Sequence, residues 1–224
     1  MMSSRDAILG RIRRSLGVSD SDATRPAAVR HRLAETPVNV VPARGQLPDA
    51  ERIDLFVRKV GEVFATVVRL EGRDDIPAAV AAYLRDRNLP QAIRRGDDPR
   101  LADLPWEREA QLAVATGPSE GRDLVGLSHA DAGVAETGTV VLTSGPDNPT
   151  TLNFLPDHHI VVVDASTVAG DYETVWADLR RRFGAGLMPR TVNLVTGPSR
   201  SADIEETLLL GAHGPRSLHI LVVG

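Results

Sequence analysis

His159-Ile160-Val161-Val162-Val163-Asp164-Ala165-Ser166 (HIVVVDAS, 159–166) and LHILVVG (218–224) decide the fold. Their apolar residues run continuously instead of alternating, the pattern of a parallel strand covered on both faces. Working outward, ATVVRL (65–70), QAIRR (91–95), QLAVAT (111–116), GTVVLTS (138–144) and TVNLVTG (191–197) read as further strands. Helical periods lie between them: Ile53, Phe56, Val57 and Val60 in 48–62, then Ile76, Val80, Tyr83 and Leu84 in 75–88, then about 171–183. Strands interleaved with helices in this way predict an α/β fold, a mainly parallel open sheet flanked by helices. The final run is expected to be pinned within the sheet. Ligands in such folds bind beyond the carboxyl ends of the strands, which directs attention to the residues after Leu142, Val163 and Val195.

Composition removes several chemistries. The 224 residues include no cysteine, so the chain makes no disulfide, thiolate zinc site or cysteinyl iron–sulfur ligation. Lys59 is its single lysine, set among charged neighbours in an amphipathic helix. That suits neither a P-loop nor a pyridoxal phosphate Schiff base. The net charge of −4 offers no general attraction to nucleic acid or anionic membrane. No stretch approaches the ~20 apolar residues of a membrane span, and no apolar run with a cleavage site marks a signal peptide. The expectation is a cytoplasmic protein.

Residues 1–46 are expected to form an arm. Ile8, Ile12 and Leu16 line one stripe of a helix over 3–16, capped by Ser3 or Ser4, and 17–37 read as a polar linker. The arm holds eight arginines against four acids and precedes an acidic body over 47–224. Such an arm suits lying across its own body or a second subunit, so a homo-oligomer is one expectation.

Three segments carry candidate chemistry. In SHADAGVAETGTVVLTSGPDNPTTLNFLP (128–156), small residues surround Asp131 and Glu136, Glu136-Thr137-Gly138 leads into an apolar strand, and Thr143 and Ser144 add hydroxyls after it. Glu136 is read either as a solvated turn carboxylate or as a base, nucleophile or hydroxyl anchor at a cleft rim. Asp131, Thr137, Gly138 and Thr143 are candidate ligand contacts. Asp157-His158-His159 precedes a strand, where adjacent side chains point to opposite faces, so no shared metal is expected. In TGPSRSADIEE (196–206), Gly197, Ser199, Arg200 and Ser201 combine a glycine turn, two hydroxyls and a planar donor fork suited to an anion. A serine capping a helical turn is the plainer alternative. His213-Gly214-Pro215-Arg216 adds a titratable ring and a guanidinium: His213 is the candidate proton shuttle, and Gly214 and Arg216 are candidate ligand contacts.

ADAGVAETGTVVL, TGPSRSADIE and GAHGPRSLHILVV, in that order, resemble the characteristic blocks of the lactate-utilization (LUD) domain family. ILGRIRRSLG resembles the opening of its short, cysteine-free members. The resemblance implies a fold like that of the sugar-phosphate isomerases and CoA-transferases (NagB/RpiA/CoA-transferase-like). It also implies a place in a three-component system oxidising L-lactate to pyruvate. Iron–sulfur clusters would then belong to partner subunits, this chain holding no cofactor and contributing a site for a small anionic metabolite. Glu136, Arg200 and His213 are inferred from chemistry and position, not carried over from the family. The alternative function is a stand-alone isomerase or acyl/CoA-transferase acting on a phosphorylated or carboxylated substrate.

Overall fold

The computed structural model describes residues 3–19, 23–35, 37–184, 186–202 and 208–224, grouped in two units, 1–40 and 41–224. The first unit holds α1 (Ser4–Leu16) and α2 (Thr24–Glu35). Ser3 and Asp6 form a capping box at the start of α1, and Gly17 closes it in the left-handed conformation. Helix α2 corrects the expectation of a linker over 17–37. Pro26 falls in its first turn, where a missing N–H costs nothing, and Val29 and Leu33 stand one turn apart.

The second unit contains α3 (Asp49–Glu62), β1 (Thr66–Leu70), α4 (Ile76–Asp86), β2 (Ala92–Arg95), α5 (Pro99–Ala102), β3 (Ala113–Thr116) and β4 (Val125–His129). It continues with β5 (Ala132–Val134), β6 (Thr139–Thr143), α6 (Thr150–Phe154), β7 (His158–Asp164), β8 (Val168–Ala169) and α7 (Tyr172–Phe183). The last strands are β9 (Val192–Val195), β10 (Arg200–Ala202), β11 (Leu208–Leu210) and β12 (Ser217–Val223). Six strands form a fully parallel sheet in the order β1-β12-β7-β4-β2-β3, with β12 paired to β7 from Ser217–His158 to Val223–Asp164.

The continuous apolar runs are explained by cover on both faces. Ile160, Val162, Leu221 and Val223 pack with Ile76, Val80 and Leu84 of α4. Val161, Val163, Ile220 and Val222 face the other way, toward Phe56 and Val60 of α3 and Val140 and Leu142 of β6. Burying so large a ring as Phe56 contributes heavily, and truncation to alanine would cost about 3–5 kcal/mol.

Two expected strands sit elsewhere. GTVVLTS and TVNLVTG become β6 and β9 of a smaller sheet, ordered β8-β5-β6-β9, in which β6 runs antiparallel to both neighbours. Its far face packs on Val175 and Leu179 of α7. The carboxyl-end rule therefore applies after Val163, but Leu142 and Val195 end strands of the mixed sheet. In their place β4, whose five residues are all buried, lies at the centre of the parallel sheet. Its composition, VGLSH, carries no apolar run.

Residues 41–46, assigned to the arm by sequence, pack on the body. Gly45 and Gly170 meet backbone to backbone, so a Cβ on Gly45 would stand 2.1 Å from the Gly170 carbonyl oxygen. Gly45→Ala is expected to lower stability by at least about 1–3 kcal/mol, the cost of overpacking. Gly61→Ala, in α3 with open space around the added methyl, is expected to be neutral or to stabilise by ~0.5–1 kcal/mol. Urea midpoints of the two variants check this; an undisturbed Gly45→Ala midpoint contradicts the packing.

Candidate functional site

Sequence-distant loops meet at the amino end of the parallel sheet. Gly197, Ser199, Arg200, His213 and Gly214 line one cavity of about 250 Å³ with Asn153, Phe154 and His159. Gly197 allows the turn: its φ is +75°, and a Cβ there would stand 2.3 Å from the Val63 carbonyl oxygen. Ser199 ties the two loops together. Its N–H donates to Pro215 O, its carbonyl accepts from Gly211, and its hydroxyl accepts from the His213 N–H at 3.2 Å. Arg200 opens the hairpin β10–β11 instead of a helical turn, and its guanidinium lies 4.6 Å from the Phe64 ring centroid. Phe64 is exposed and sits at φ +66°, a conformation uncommon for a bulky residue. The Ser201 backbone pairs with Leu209; its side chain, and Asp203-Ile204-Glu205 of the same sequence block, lie outside the described residues.

At the cavity floor, His159 is fully buried and its Nε2 lies 3.0 Å from Ser128 Oγ, which bonds Asn153 Oδ1 at 3.1 Å. His158, on the opposite strand face, meets the Tyr83 hydroxyl at 2.9 Å. No carboxylate stands among the described lining residues, and the cavity's charged group is Arg200.

Asp131 and Thr143 are brought together elsewhere, in a second cavity of about 200 Å³ with Asp98, Arg100, His129 and Arg182. Asp131 accepts from the Thr143 N–H and hydroxyl at 2.8 and 2.6 Å and pairs with Arg182. Burial alone would push the Asp98 carboxyl up, but the hydrogen bonds and charge of Arg100 hold it below the ordinary range. His129 is held below its usual value by burial and then by the Arg100 charge.

Glu136 lines neither cavity. At 5% exposure it accepts from Arg44 Nη2 at 3.2 Å, and its N–H donates to Gly170 O. Thr137 bonds the hydroxyls of Thr139 and Tyr172, and Thr139 reaches Thr196, which does line the first cavity. Gly138, at φ +69°, lies against the backbone of Lys59 and Val60. Arg216 pairs with Asp157 at 3.6 Å outside the first cavity.

Asp98, Arg100, His129, Asn148, Asn153 and Arg182 escaped the sequence reading. The carboxyl-end rule applied after Arg95 would have reached Asp98-Pro99-Arg100, where Asp98 caps α5. Asn153 and Arg182 carry no local signal. Among the described residues no group of three His, Cys, Asp or Glu is placed to hold a metal, and no helix is long and apolar enough to cross a membrane.

An α/β unit with a parallel six-stranded sheet and two polar cavities at its opposite ends defines the class of protein. The LUD domain family model matches residues 53–223, and the chain belongs to that family. It is 28% identical to the uncharacterized protein YkgG of Escherichia coli K12, over 99% of each chain. It is 35% identical to lactate utilization protein C of Geobacillus kaustophilus over 57% of this chain and 60% of that one. It is 41% identical to the uncharacterized protein NMB1437 of Neisseria meningitidis serogroup B over 65% and 64%. A DUF162 family protein from Deinococcus radiodurans has a similar fold, with a TM-score of 0.56 and 24% identity over 80% of this chain and 99% of that one.

Burial pushes the His159 imidazole down to about 3, and burial with the Arg87 charge pushes that of His219 down to about 4. Both rings stay neutral in the fold at pH values where the unfolded chain, titrating near ~6.5, takes up protons. The stability these two rings contribute is therefore complete above about pH 6.5 and is lost as pH falls toward 4. His219→Asn is expected to flatten this dependence. Urea midpoints between pH 7 and 4 check it, and an identical slope in the variant contradicts it.

Proposed function

We propose that this chain serves L-lactate utilization as a non-redox component that binds a small anionic metabolite, beside partner subunits carrying the iron–sulfur clusters. The observation that carries the reading is the convergence of Gly197–Arg200 and His213–Gly214 on one cavity whose described lining residues include a guanidinium and no carboxylate. An anion entering it meets the Arg200 fork and the exposed His213 ring, while Phe154 and Leu218 supply apolar wall. Relatives named lactate utilization protein C support the pathway, and a chain without cysteine, which offers no cysteinyl cluster ligand, is consistent with clusters on partner subunits. Glu136, held by Arg44, serves the turn that leads through Thr139 to Thr196, and so acts on the cavity wall.

Cells lacking the chain are expected to lose growth on L-lactate and to regain it with the wild-type sequence. The purified protein is expected to bind L-lactate or pyruvate without oxidising either. Arg200→Gln is expected to weaken that binding about 10- to 100-fold, the worth of a charge-assisted hydrogen bond. Calorimetry with L-lactate and pyruvate measures the affinity. Unimpaired growth of the deletion, lactate oxidation by the pure chain, or equal binding by Arg200→Gln overturns the reading.

A further inference from the structure

Helices α1, α3 and α4 end in the same reciprocal cap, the Schellman motif, in which two successive N–H groups close back onto the last turn. The residue at the turn takes up a left-handed conformation, which glycine or asparagine normally supplies because a Cβ crowds the backbone there. In α1 that residue is Gly17, at φ +62°, and in α4 it is Asn88, at φ +52°. In α3 it is Phe64, at φ +66°. Its N–H donates to the Gly61 carbonyl at 3.1 Å, and the Ala65 N–H donates to the Val60 carbonyl at 3.2 Å. A bulky residue in this conformation is strained, and such strain persists where something else is served by it. Burial is not what is served, because Phe64 is 72% exposed.

What the ring meets is the Arg200 guanidinium, 4.6 Å from its centroid. Backbone packing fixes the approach. A Cβ on Gly197 would stand 2.3 Å from the Val63 carbonyl oxygen, so the end of α3 and the loop leading to Arg200 abut one residue from Phe64. An aromatic face against one side of a guanidinium attracts it through the ring quadrupole and leaves the in-plane N–H groups to an anion. No carboxylate among the described residues lining the cavity holds Arg200.

We propose that Phe64 is a positioning residue of the anion cavity: the left-handed cap aims its ring at Arg200, and the ring holds the guanidinium ready for the anion. Phe64 is not itself among the cavity's described lining residues, so it acts through Arg200. Glycine would suit the cap better; the ring serves the site. The inference rests on reading the cavity as an anion site, but the hold on Arg200 is measurable without any ligand.

The test compares Phe64→Gly, Phe64→Leu and Phe64→Tyr in the full chain. The first relieves the cap and removes the ring, the second removes the ring and keeps the strain, and the third keeps both. Without ligand, the Arg200 Nε–H proton resonance, assigned by its loss in Arg200→Gln, is expected upfield in the wild type and in Phe64→Tyr. In Phe64→Gly and Phe64→Leu it is expected at the position of a free arginine. Calorimetry with L-lactate and pyruvate is expected to show about 2- to 5-fold weaker binding in Phe64→Gly and Phe64→Leu, and unchanged binding in Phe64→Tyr. The urea midpoint of Phe64→Gly is expected at or above that of the wild type and above that of Phe64→Leu, so affinity and stability part company. A wild type that binds neither anion overturns the anion reading of the cavity, while the resonance and the midpoints still decide whether Phe64 holds Arg200. An Arg200 signal indifferent to Phe64→Gly, affinity unchanged in that variant, or a midpoint below the wild type's overturns the proposal.

Discussion

The pairing of β7 with β12 governs the rest of the molecule. Seven consecutive residue pairs, from Ser217–His158 to Val223–Asp164, hold two strands whose apolar residues alternate between two cores. A slip of one residue would turn Val161 and Val163 into the wrong core and drive Ile160 and Val162 into the other. Parallel register also gives the sheet two chemically distinct ends. His159 and Leu218 stand opposite each other at the amino end, where the Arg200 cavity forms. His129, at the carboxyl end of β4, places the second cavity at the other end.

The two cavities divide the polar chemistry by charge economy. At the amino end a guanidinium packed on Phe64 lines a cavity with no acid among its described lining residues. At the carboxyl end the two buried carboxylates are each matched by a guanidinium, Asp98 by Arg100 and Asp131 by Arg182. Such matching is expected wherever charges are buried, because an uncompensated ion costs more than any single hydrogen bond returns. The same economy explains Glu136. A carboxylate this buried needs a cation, and Arg44 from the segment preceding α3 supplies it.

The parallel strands were legible where burial on both faces forced an apolar run, as in β1, β7 and β12. Strand β4 was not, because it packs with Gly126, Ser128 and His129, and its Ser128 is satisfied by partners from other elements, Asn153 of α6 and His159 of β7. Helix α2 was hidden by its polar composition. Of the candidate site, the loops at 197–200 and 213–214 were legible as glycine turns with hydroxyl and guanidinium donors. That they share a cavity, and that Asp131 and Thr143 belong to a different one, was invisible to local pattern.

By itself the sequence determined the α/β class, through periodicity and the βαβ spacing, and it removed thiolate, P-loop and Schiff-base chemistry by simple absence of the residues. It also determined the family, through three ordered blocks. Only the tertiary structure decided which strands share the parallel sheet, which end of it each loop reaches, and which charges find partners. Periodicity encodes how one element sits on a core. Contacts between elements 92 residues apart, such as Arg44 with Glu136, depend on how all the cores close together.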